Sequence, residues 1–382
     1  MTDPSGTCDP AFASVRDAFA RNFTDGLELG ASLSISVDGR NVVDLWAGHL
    51  DAARTRAWER DSLVCVFSCT KGVMAIATMW AVAHGLVDLE APVARYWPEF
   101  AAAGKGDIPV RWLLTHEAGL AAIGTRMPHG SLSDWDAMTT ALADQEPWWE
   151  PGTAHGYHGV TFGHLIGEVL QRATGRACDE LVRTELADPL GVDLCMPLPP
   201  DCDARTADLV VDMSHDGTFF DRWDPKTSLG PRAFGNPPDC NDPAHCMTDT
   251  FRRAVIPSAN VHANGRALDR LYAVLALGGT SPELGLAPAP IVAEFGRCQV
   301  RGDDRVMELP TAFALGFEHT IPEWSFGPGS RTYGHNGSGG SLGIVDPDAR
   351  VSLGYAMNRL WWGPDRTDPR WPPIFDALYA AV

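Results

Sequence analysis

Lysine is nearly missing from this chain: Lys71, Lys105 and Lys226 stand against twenty-seven arginines in 382 residues. A lysine among apolar neighbours is therefore not explained by a general taste for that residue. Basic charge as a whole is short, thirty basic against forty-nine acidic residues, for a net charge of -19. That is the wrong sign for a phosphate backbone or an anionic bilayer, so neither nucleic acid nor membrane is an expected partner. The longest apolar run, Gly72 to Ala83, spans twelve residues before His84 interrupts it, well under the ~20 that a membrane-crossing helix requires. Paired Cys-x-x-Cys spacing is absent among the nine cysteines, and a chain this long needs no covalent staples. Reduced thiols are expected, with a surface disulfide between Cys240 and Cys246 left open. Met1 to Pro10 holds Asp3, no Lys or Arg, and no apolar stretch behind it, so no secretory leader is read there and a cytoplasmic protein is expected.

What remains is ordinary globular composition, 45% hydrophobic, 21% charged and 9% aromatic; at ~150 residues per unit the length suggests two or three packed units. Ala31–Val37 and Asn41–Gly48 alternate apolar and polar residues around Asp38-Gly39, a pair that tolerates the positive φ of a tight hairpin. A helical pattern at Ala11–Phe23 precedes them. Near the other end, Ser341–Val345 and Val351–Asn358 form a second strand pair, and a short apolar helix, Ile374–Val382, closes the chain. The two hairpins bury their edges most economically as one antiparallel sheet with the terminal helices packed on it. Between them the patterns are helical: Gly72–His84, Val110–Leu114, Leu132–Ala143, Thr161–Ala173 and Asp179–Leu190. The expected organisation is an α/β (α+β) sandwich domain from residues 1–85 and 205–382, with a mainly helical domain at 86–204 and a site in the cleft between them. Pro197–Cys246, rich in Pro, Asp and Gly, has the character of a loop that covers a site.

Lys71 follows Ser68 by three residues at the head of the apolar helix, so the two side chains share one face a turn apart. A serine hydroxyl is a weak nucleophile until a neighbour takes its proton, and lysine can do so only where burial disfavours the ammonium. At the helix start, the Ser68 backbone N–H also points where a developing oxyanion is favoured. Alone, Ser-x-x-Lys reads equally well as a cap serine beside a surface lysine.

Further along, Glu150-Pro151-Gly152-Thr153-Ala154-His155-Gly156-Tyr157 places a tyrosine after a Pro-Gly turn, and Tyr333-Gly334-His335-Asn336-Gly337-Ser338-Gly339-Gly340-Ser341 opens a late strand. In this order of Ser-Lys, Tyr and His-x-Gly the chain resembles the serine beta-lactamase and penicillin-binding-protein superfamily, and more closely its class C-like esterase branch, the family VIII carboxylesterases. Leu113-Leu114-Thr115-His116-Glu117-Ala118-Gly119-Leu120 and the stretch Ile256–Arg270 carry the likeness further. The resemblance implies a beta-lactamase/transpeptidase-like fold, Ser68 as acyl-accepting nucleophile, Lys71 as its base and Tyr157 as proton relay. It further implies an oxyanion hole from the backbone N–H groups of Ser68 and Ser338, and substrate contacts from His335, Asn336 and Gly337. Two departures bear on substrate: Tyr157-His158-Gly159 lacks the asparagine of Tyr-x-Asn, and His335-Asn336-Gly337 replaces the cation of Lys-Thr-Gly with an imidazole mostly neutral at pH 7. Both suit a neutral ester better than a beta-lactam.

Rival signals are weaker. Gly339-Gly340-Ser341-Leu342-Gly343 matches a nucleophile elbow, but no histidine follows Ser341. Lys226-Thr227-Ser228 sits in a loop with no strand behind it. His155, His158 and His164 with Glu168 lack a metal-binding spacing such as His-Glu-x-x-His, so neither a metal nor an organic cofactor is expected. Trp148-Trp149, Trp361-Trp362 and Trp371 read as core, with one or two free to wall an acyl pocket. The expected function is hydrolysis of small carboxylic esters through an acyl-serine intermediate. Transfer of the acyl group to an alcohol or amine, a beta-lactamase or D-aminopeptidase-type amidase, and a non-catalytic binding protein are the alternatives. The oligomeric state is not readable.

Overall fold

A computed structural model describes residues 3–382 apart from 213, 215, 240, 241, 365 and 366. Nine strands form one antiparallel sheet: β1 (Ser5–Cys8), β2 (Gly30–Val37), β3 (Arg40–Gly48), β4 (Val300–Asp303), β5 (Pro310–Phe313), β6 (Glu318–His319), β7 (Tyr333–Asn336), β8 (Leu342–Asp346) and β9 (Val351–Met357). Their spatial order is β1-β3-β2-β9-β8-β7-β6-β5-β4. The two ends of the chain meet at the centre, where β9 pairs with β2 from Val351↔Val37 to Met357↔Ala31. Asp38 and Gly39 both take positive φ, 50° and 74°, which gives the β2–β3 turn the twist that matches its strands.

Helices cover both faces. On one, α1 (Ala13–Thr24) and α8 (Pro372–Tyr379) pack together, and Phe19 of α1 meets Tyr355 of β9 edge to face at 6.1 Å. On the other lies α6 (Gly265–Ala276), capped by the Asn264 side chain, which accepts from the Ala267 N–H. Alternate residues of β2 face α6, since the period of a strand is two: Ser34 and Ser36 both donate to Asp269 at 2.8 Å. Asn41 and Ser352 complete the ring of donors around that carboxylate, as a buried charge requires.

The segment 86–204 carries α3 (Val110–Leu114), α4 (Trp135–Asp144) and α5 (Phe162–Thr174), and contributes no strand to the sheet among the described residues. Between it and the sheet runs α2 (Cys69–Ala83), which packs on α5, on β7 and on α7 (Ala289–Gly296). Every residue of α2 from Cys69 to Met79 is buried, as expected of a helix apolar all round. Cys8, Cys65, Cys69, Cys178, Cys195, Cys202 and Cys298 are free thiols; Cys240 lies outside the described residues, and with it the question of its pairing with Cys246. Among the described residues no helix is long and apolar enough to cross a membrane.

Candidate active site

Ser68 is set by a sharp change of direction. Val64–Cys65 pairs with His262–Ala263, then Phe67 takes φ +45°, a left-handed conformation that a bulky side chain adopts only under constraint from its surroundings. The chain thereby turns straight into α2, with Ser68 as its first flanking residue and the side chain on the wall of a cavity of about 150 Å³.

One turn on, Lys71 has no solvent exposure. Its Nζ donates to Ser68 Oγ at 2.9 Å and to the Ser258 carbonyl at 3.0 Å, and sits 5.0 Å from the centre of the Tyr157 ring. Burial lowers the Lys71 amine to about 7, against a smaller upward pull from the Glu318 carboxylate. Ser258 is fixed in turn, accepting from Gly163 N and donating to Val160 O, both at 2.6 Å.

Tyr157 closes the set. Its ring stacks on Phe313, with centres 6.0 Å apart and planes 2° apart. Asp304 takes its backbone N–H with both oxygens, at 3.1 and 3.0 Å. Burial pushes the phenol well above its usual value, Glu318 adds to the rise, and a hydrogen bond with Ser68 opposes it. The phenol therefore keeps its proton at neutral pH, while the amine beside it exchanges one.

The third motif divides. Asn336, Gly337 and Ser338 line the cavity. His335 is 1% exposed and packs behind Tyr157, ring centres 6.0 Å apart, rather than on the cavity wall. Its Nδ1 lies 2.7 Å from the Asn336 carbonyl; a carbonyl only accepts, so Nδ1 bears the proton and the buried Nε2 is bare. Burial holds this imidazole down to about 3. Ser341 is fully buried and donates to the Val66 carbonyl at 2.8 Å, away from the cavity. Lys226 is exposed in its loop.

His155 bonds Thr311, His158 bonds Leu120 and Gly156, and Glu168 bonds Trp135 and Arg172. No group of three potential ligands is placed to hold a metal ion among the described residues.

Other residues of the site lie outside the three motifs. Glu318, on the two-residue strand β6, borders the cavity and accepts the Asn336 amide at 2.7 Å when its nitrogen faces the carboxylate. Trp324, Trp361, Trp362 and Trp371 wall the cavity, and Phe219, Phe220 and Phe234 reach it from the Pro/Asp-rich loop. A second cavity of about 60 Å³, lined by Leu132, Val160 and Ile256 among others, opens on the other flank of Ser68.

The fold is shared widely. A penicillin-binding-protein homologue from Caulobacter crescentus superposes with a TM-score of 0.92 at 36% identity, over 100% of both chains. A family VIII carboxylesterase gives 0.90 at 37% identity, over 99% of this chain and 100% of that one. In sequence, Esterase/beta-lactamase LipL of Mycobacterium tuberculosis (strain ATCC 25618 / H37Rv) is 35% identical over 364 residues, 93% of this chain and 83% of that protein. With the Beta-lactamase family model matching residues 19–372 as well, this chain belongs to the beta-lactamase family, as a hydrolase of its esterase/beta-lactamase fold.

Proposed function

We propose that the protein hydrolyses small, neutral carboxylic esters through an acyl-serine intermediate, with Ser68, Lys71 and Tyr157 as the reacting set. The observation that carries this reading is a lysine without solvent exposure, 2.9 Å from the serine hydroxyl, whose bonded partners are both neutral oxygens. Such an amine gives up its proton near neutrality and becomes a base.

In the first step the Ser68 hydroxyl proton passes to the Lys71 Nζ lone pair while Oγ bonds to the ester carbon. The carbonyl oxygen becomes an oxyanion facing the backbone N–H groups of Ser68 and Ser338. Collapse breaks the bond to the alcohol oxygen, which takes the Tyr157 proton, and the phenol is replenished from the Lys71 ammonium. Lys71, neutral again, deprotonates water for attack on the acyl-serine, and Ser68 leaves with a proton.

The walls disfavour an anionic substrate. Among the described residues no lysine or arginine lines the cavity, and the residue standing where a beta-lactamase holds a cation is the buried, neutral His335. A beta-lactam carboxylate would enter unpaired, at a desolvation penalty. Treating the protein with an aryl phosphonate and locating the adduct by mass tests the assignment: the expected adduct is on Ser68, and one on Ser341, or none, removes it.

A further inference from the structure

The loop Gly337–Gly340, between β7 and β8, is held from behind by the segment that follows β9. The Gly339 carbonyl accepts from Trp361 N at 3.0 Å and from Arg370 Nη2. The Gly340 carbonyl accepts from Trp371 Nε1 at 3.0 Å, and the Ser338 hydroxyl from Trp362 Nε1 at 2.9 Å. Gly340 has φ +123°, and a Cβ there would collide with Arg370 and Asp368. Arg370 itself is 1% exposed. Its Nη1 donates at 2.8 Å to both Glu28 and the Arg359 carbonyl, while Nε and Nη2 engage Asp368. Glu28 is tied in turn to Tyr355 of β9 at 2.6 Å. One guanidinium thus joins the centre of the sheet to a loop that borders Ser68.

We infer that Arg370 is a positioning residue for the reaction: it fixes the loop Gly337–Gly340 so that the Ser338 N–H stands where the oxyanion forms. The inference rests on the ester-hydrolase reading above. Its physical basis is that an oxyanion donor stabilises a transition state most when it needs no reorganisation as charge develops. A charge-assisted bond to the neighbouring carbonyl, made by a side chain that is itself immobilised, removes that freedom. Lysine cannot substitute, because its single ammonium lacks the planar fork that spans two carboxylates and two carbonyls at once.

The test uses Arg370→Lys and the double variant Glu28→Gln with Arg370→Gln; neither residue lines the cavity. Both are titrated with the aryl phosphonate so that rates refer to folded sites, and assayed well below their melting temperatures on a p-nitrophenyl ester. An alkyl boronic acid, which forms a tetrahedral anionic adduct on a serine, reports oxyanion binding. The expected result is kcat per titrated site reduced about tenfold or more, with KM within about threefold of wild type and boronate affinity reduced in step with kcat. Variants that keep wild-type kcat per site, or that lose kcat with boronate affinity intact, overturn the inference, because a network that only holds the fold would lower the melting temperature and leave the folded sites fully active. Where Arg370→Lys does not fold, the double variant, which removes the guanidinium together with the Glu28 charge that faces it, decides alone. A wild-type protein not labelled on Ser68 refutes the ester-hydrolase reading and this inference with it; a Ser68-labelled wild type with unimpaired variants refutes this inference alone.

Discussion

Lys71 Nζ lies 2.9 Å from Ser68 Oγ and 3.0 Å from the Ser258 carbonyl, so both bonded partners of this buried amine are neutral oxygens. Replacing it with arginine keeps the charge and removes the base, because a guanidinium does not deprotonate in a protein. Lys71→Arg is expected to lose ~10²–10⁴ in kcat/KM on a small ester while remaining folded by circular dichroism. A folded variant that keeps more than about a tenth of the activity would show that Lys71 is not the base.

The pH profile follows from the same amine. Its lowered value, about 7, makes the unprotonated, active form accumulate as pH rises, so kcat/KM should climb through that region and then level off. Tyr157 is pushed well above its usual value, so no fall from loss of the phenol proton is expected up to about pH 10. A plot of log kcat/KM against pH that falls on the alkaline side of 7 would contradict this assignment.

Tyr157 donates late in the proposed step, to the departing alcohol. Tyr157→Phe should therefore depend on the leaving group: activity on an alkyl ester, whose alkoxide needs a proton, falls ~10²-fold or more, and on a p-nitrophenyl ester distinctly less. Equal losses on both esters would argue that the ring only packs.

Asp304 holds the Tyr157 backbone from behind and also accepts from Val306 N, Met307 N and Thr311 Oγ1. An amide has one accepting oxygen where the carboxylate has two. Asp304→Asn should strand buried donors at a cost of about 1–3 kcal/mol in denaturant unfolding, and lower kcat through a displaced Tyr157 more than it raises KM. A variant as stable as wild type would show that these bonds are dispensable.

The elements that could be read from the sequence are those with a strong period. The β2–β3 hairpin, α1 and α2 follow their patterns because each buries a continuous face, and Ser68, Lys71 and Tyr157 meet as the motifs implied. The strands β4 to β6 escaped notice because runs of two to four residues are too short to establish alternation. With them went Glu318, a single carboxylate whose place beside Asn336 arises from the pairing of Gly334 with Glu318. Arg370 is one arginine among twenty-seven, and its importance comes from Gly339 and Glu28, two partners far from it in sequence. Expected at the substrate, His335 instead lies packed behind Tyr157. Successive strand residues face opposite ways, and Asn336 holds the outward position.

The pairing of β2 with β9 also sets when the enzyme can exist. Residue 37 waits for residue 351, and at ribosomal rates of about 5–20 residues per second that interval lasts tens of seconds. During it the inner edge of the first hairpin has no neighbour and is open to association with other chains. The loop beside Ser68 arrives only with β7 and β8, and its backing with Arg370 later still. Nascent chains arrested before residue 370 should therefore be inactive and prone to aggregate however complete their helical segment, and activity should appear in a single step on release of the full chain.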